Sequence, residues 1–104
     1  MSQDSQAADH AAALQPPKVI DSSAVTHYAN FCRVTGTPEE LIIDFALNTQ
    51  TRPTDDQPVN VSQRVVLNYY TAKRLLQALG MSVARHEQAF GVLETNVQKR
   101  LEKK

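Results

Sequence analysis

The chain has one cysteine, no tryptophan and only three glycines among its 104 residues. A lone Cys32 excludes an internal disulfide, and no Cys/His cluster has the spacing of a zinc site. Gly36, Gly80 and Gly91 each stand alone, so there is no glycine-rich loop to cradle a phosphate. No run of about 18 apolar residues exists, which predicts no membrane-spanning helix. The start is acidic, and Ala11-Ala12-Ala13-Leu14 is too short for the apolar core of a signal peptide. A free thiol without an export signal predicts a reducing cytoplasm.

What is present divides into three parts. Residues 1–25 are rich in Gln, Ala, Asp and Ser, carry Pro16-Pro17 and hold few large apolar side chains. That composition cannot offset the entropy of ordering it and predicts a disordered tail. Residues 26–93 carry the foldable pattern, and residues 94–104 form a basic tail, helical or frayed. A core this short supplies only about 3–5 kcal/mol by itself. With disulfide and metal excluded, association with another chain is the remaining device.

Charge is uneven although the total is zero. Residues 1–61 hold eight acids and three bases, a net of −5; residues 62–104 hold three acids and eight bases, a net of +5. Such a division suits contacts between copies of the chain, or an anionic partner on the basic half; a solvated helix face is the plainer reading.

Tyr28–Thr35 is rich in β-favouring residues, and Gly36-Thr37-Pro38-Glu39 has turn chemistry. Glu40–Leu47 alternates: Leu41, Ile43, Phe45 and Leu47 share one face, and Ile42, Asp44 and Ala46 the other. Asn48–Pro58 is polar and broken by proline, which predicts a mobile loop. Val59–Leu67 alternates again, with Val59, Val61, Val65 and Leu67 on one face and Gln63 interrupting it. Asn68 is placed to cap a helix running from Tyr69 to about Phe90, and Gly91 to end it. A second helical segment is expected within Val92–Lys104, where Leu93, Val97 and Leu101 prolong the apolar pattern.

The predicted fold is α+β: a three-stranded antiparallel meander followed by one long amphipathic helix, β-β-β-α, as a dimer. The helix carries Ala72, Leu76, Leu79, Val83, His86 and Phe90 at spacings of four, three, four, three and four, and Leu75 widens the stripe. That is the spacing of a helix that lays one face against something. These seven residues are the expected dimer contact or core stripe.

Candidate chemistry is sparse. His86 lies on the stripe, where a core or interface histidine is the ordinary reading. Cys32 and His86 make a weak nucleophile pair, since a strand cysteine among apolar neighbours is usually inert. Asp44 is the one carboxylate inside an apolar strand; facing solvent it means little, and facing the helix it needs a partner, Arg33 on the paired strand or Lys73 on the helix, with a structural ion pair the favoured reading. No catalytic residue, cofactor site or metal site is assigned, and an enzyme is the weakest class. Single-stranded nucleic acid is the alternative, with Tyr28 and Phe31 to stack bases and Arg33 and Arg64 to hold phosphates from the sheet. A protein partner bound through the tails is compatible with the dimer.

Two stretches, YANFCRVTGTPEELIIDFAL (Tyr28–Leu47) and SQRVVLNYYTAKRLLQALGMSVARHEQAFG (Ser62–Gly91), resemble a bacterial and archaeal family, domain of unknown function 3467. The turn before Glu40, the Asp44-Phe45 pair, the strand ending in Leu67 and the Ala72-Lys73-Arg74-Leu75-Leu76 run carry the resemblance. The chain departs from it at Tyr69-Tyr70, where relatives often open the helix with proline and an acid or amide. The resemblance implies a small soluble domain and assigns no binding residue. The order of elements over Val65–Val83 is also similar to the repeat of PUR-alpha-type single-strand nucleic-acid-binding proteins, a likeness of topology only.

Overall fold

The computed structural model describes residues 15–52 and 56–102. Three strands, β1 (Phe31–Gly36), β2 (Glu40–Ala46) and β3 (Val61–Asn68), precede a 22-residue helix α1 (Tyr69–Phe90) and a short helix α2 (Val97–Glu102). The strands form one antiparallel sheet in the order β1-β2-β3. The expected β-β-β-α meander is therefore the fold, with α2 as the expected second helical segment.

The β1–β2 turn is organised by Thr37. Its Oγ1 accepts from the Glu40 N–H at 3.0 Å and the Glu39 N–H at 3.3 Å, and its own N–H donates to the Glu40 carbonyl at 2.8 Å. At the opposite end of this hairpin, Asn30 and Asn48 clasp each other. Asn30 Nδ2 donates to the Asn48 carbonyl at 3.0 Å, and the Asn48 N–H donates to Asn30 Oδ1 at 2.6 Å. The first strand therefore begins at Phe31 rather than Tyr28, which lies before it and is exposed.

Register places Val34, Ile43 and Val65 in one row and Leu41 and Leu67 in the next, on the face toward α1. The opposite face carries Arg33, Asp44 and Arg64 in one row. One expectation for β3 is corrected. Phe45 pairs with Gln63 but Ala46 pairs with Val61, so Ser62 is an extra residue in the ladder. This bulge moves Val61 onto the Asp44 side, away from Val65 and Leu67. Ser62 Oγ donates to the Phe45 carbonyl at 3.2 Å and fixes the bulge. Val59 lies outside the strand.

α1 follows β3 without a linker. Asn68 Oδ1 accepts from the Thr71 N–H at 2.8 Å, satisfying one of the free donors of the first turn. Tyr69 reaches back across the sheet end and donates its hydroxyl hydrogen to the Thr37 carbonyl at 2.9 Å. Gly36 must be glycine for this contact, because a Cβ there would collide with the Tyr69 hydroxyl. At the far end Gly91 takes φ 98°, and its N–H donates to the Glu87 carbonyl at 2.7 Å. Glu87 Oε2 accepts from the Leu93 N–H at 2.8 Å.

Little is enclosed. The buried residues among those described are Ile43, Asp44 and Ala46, all on the central strand. A 22-residue helix is about 33 Å long, whereas three strands span about 10–14 Å across. α1 outruns the sheet it stands on. The radius of gyration is 18.9 Å, against about 13 Å for a compact domain of 100 residues. Of the predicted tails, residues 15–25 carry no strand or helix and are exposed. Residues 1–14, residues 53–55 of the loop and the last two lysines lie outside the described residues.

Candidate self-association surface

An open groove of about 540 Å³ runs between the sheet and the first half of α1. Val34, Leu41 and Ile43 form its floor, and Ala72, Leu75, Leu76 and Leu79 its helix wall. The two strand rows and the helical spacing bring these side chains together. Only Ala72 and Leu75 are half-buried against the sheet.

The rest of the stripe stands in the open. Leu76 is 69% exposed, Leu79 53%, Val83 45% and Phe90 79%. No residue of α1 is buried. His86 lies beside Phe90, ring centroids 4.8 Å apart at 41°. Leu93, Val97 and Leu101 are exposed as well. The seven-residue stripe is thus apolar except at His86, and the described residues cover only its beginning. Covering a large apolar side chain stabilises by about 1.5–3 kcal/mol. Four or five such side chains compare with the whole stability expected of so small a core.

Asp44 takes Arg33 and not Lys73 as a partner, and Arg64 as a second one. It lies on the face away from α1, and its partners are Arg33 and Arg64 on the two flanking strands. Arg64 Nε approaches Oδ1 at 2.6 Å, and Arg33 Nη2 approaches Oδ2 at 2.7 Å. The two guanidinium groups cover the carboxylate, leaving it 1% exposed while remaining more than half exposed themselves. The hydrogen bonds from Arg64 and then Arg33 lower its pKa to about 2. The same bond raises the pKa of Arg64. Lys73 lines the groove and takes no part.

Of the four residues expected to meet nucleic acid, Arg33, Arg64 and Phe31 share this outer face by strand alternation. Tyr28 precedes the sheet and is not brought to them by any strand pairing. Cys32 is exposed and free, and no hydrogen bond joins it to His86 among the described residues. Among the described residues no group of three His, Cys, Asp or Glu could hold a metal ion, and no helix is long and apolar enough to cross a membrane.

The family model described as a protein of unknown function, DUF3467, matches residues 1–95. The chain belongs to the DUF3467 family. No curated protein matches it, and no solved structure does. The likeness to PUR-alpha-type repeats therefore rests on element order alone. The family match extends beyond both ends of the β-β-β-α unit in this DUF3467 chain.

Proposed function

We propose that the chain is a small, non-enzymatic interaction module that works as a homodimer, with α1 and the groove beside it forming the dimer contact. The observation that carries this reading is a 22-residue helix with a heptad-spaced apolar stripe and no buried residue. Leu76, Leu79 and Val83 are the centre of the contact. A further protein partner on the tails is compatible with it. A reducing compartment, the cytoplasm, suits a chain whose only thiol is exposed. Sedimentation or light scattering of the unmodified chain at micromolar concentration tests the reading: it predicts twice the chain mass, and a stable monomer overturns it.

A second reading is kept for one feature, the outer sheet face. Arg33 and Arg64 are held side by side by Asp44, more than half exposed, with Phe31 on the same face. Guanidinium groups beside an aromatic ring suit a single-stranded nucleic acid. This reading predicts binding to oligonucleotides that weakens steeply with salt, and no mobility shift at low salt counts against it.

A further inference from the structure

We propose that two copies pair their α1 helices antiparallel, in one register, with Lys73 of each copy opposite Glu87 of the other. This rests on the homodimer reading and adds to it the orientation, the alignment and the residues that fix both.

The stripe of α1 follows a heptad. Leu76, Val83 and Phe90 are a positions, and Ala72, Leu79 and His86 are d positions. Lys73, Gly80 and Glu87 then fall at e, and Leu75, Ser82 and Ala89 at g. In an antiparallel pair, a residues layer against d residues, e positions face e positions, and g positions face g. One alignment matches the whole stripe without remainder. Ala72 lies against Phe90 of the second copy, Leu76 against His86, and Leu79 against Val83, each layer repeated by symmetry. That same alignment, with nothing left to adjust, sets Lys73 opposite Glu87 on the e flank. Gly80 then meets Gly80 across the two-fold axis. Space around Gly80 is open, with no atom within 4 Å of where a Cβ would stand, so the two backbones can approach there.

The g flank fits the groove. Leu75 is half-buried against the sheet, and the residues set opposite its flank, Ser82 and Ala89, are small enough to enter the space above the floor. Lys73, which also borders the groove, and Glu87 lie on the e flank. Neither has an ion-pair partner among the described residues; Glu87 is oriented by the Leu93 N–H alone. A parallel pair wastes this arrangement. It sets e against g, pairing Leu75 with Gly80 and Ser82 with Glu87, and joins no opposite charges. The helix dipoles also oppose favourably only in the antiparallel case.

The test uses the full chain. The Lys73→Glu and Glu87→Lys variants each place like charges together twice per dimer and are expected to weaken dimerisation about five- to tenfold. The variant carrying both changes restores the opposite-charge pairs and is expected to return to within about twofold of the unmodified chain. Independently, with Cys32→Ser as background, nitroxide labels are placed at the exposed f positions, Met81 in one sample and Gln88 in another. Antiparallel pairing separates the Gln88 labels by about 21 Å along the axis and leaves the Met81 labels nearly level. Equal separations at the two positions, or a double variant no better than the single ones, overturns the pairing while leaving the homodimer intact. A monomeric unmodified chain overturns the homodimer itself, and the pairing with it.

Discussion

Arg64 on β3 and Asp44 on β2 meet Nε to Oδ1 at 2.6 Å, and Arg33 closes the same carboxylate from β1. One side chain on the central strand thereby ties both edge strands. Because the folded pKa of Asp44 is lowered to about 2, its contribution to stability is present above the unfolded carboxylate range. It is lost as pH falls from about 4 through about 2. Asp44→Asn is expected to lower stability at pH 7, leaving two guanidinium groups side by side without an anion. It should also flatten the acid limb of the stability profile between those pH values. Chemical denaturation across pH 2–7 checks both; an unchanged acid limb counts against a part for Asp44 in acid unfolding.

Gly36 and Tyr69 form a second tie, between the hairpin and the start of α1. Tyr69→Phe removes the hydrogen bond to Thr37 and is expected to cost about 0.5–1.5 kcal/mol. Gly36→Ala must push the tyrosine aside and loses the same bond. The two changes together should cost clearly less than their sum, since each destroys what the other depends on. Urea denaturation of the two single variants and the double one measures the coupling, and strict additivity would contradict it.

Asn68 caps α1 with an exposed side chain, so its worth can be isolated. Asn68→Ala is expected to destabilise by about 1 kcal/mol, and Asn68→Asp by much less, because aspartate is an equally good cap. A negative charge there also suits the helix dipole. Thermal melts followed by circular dichroism give the comparison.

Leu79 tests the exposed stripe through mass action. If association stabilises the fold, the melting temperature of the unmodified chain rises with protein concentration. Leu79→Asp should lower that temperature, halve the mass and abolish the concentration dependence. Calorimetry over a hundredfold range of concentration shows whether it does.

Much of this was legible in the residues. The helix limits followed from an amide at Asn68, a glycine at Gly91 and the stripe between them. Strand β2 followed from its alternation, and Asp44 with Arg33 from the pairing of adjacent strands. The bulge was not legible, since alternation assumes an unbroken ladder and one inserted residue at Ser62 reverses Val61. Arg64 was missed as the partner of Asp44 because register across a long loop is set only once the loop is closed. Tyr69 looked like a departure from the family pattern. Its hydroxyl contact spans 32 residues of sequence, and no local rule connects it to the Thr37 turn. The groove needed both the strand rows and the angle of α1, and only the first was readable.

The clasp between Asn30 and Asn48 has one more consequence. β1 and β2 are sealed at their mouth before the chain departs toward β3, and the Ser62 bulge fixes the return independently. Among its described residues, the segment between these two anchors carries no ladder pairing of its own. Doubling the length of a loop costs only about 0.6 kcal/mol. The stretch from Gln50 to Gln57 is therefore the place where extra residues, an epitope or a second small domain can be spliced in without disturbing strand register.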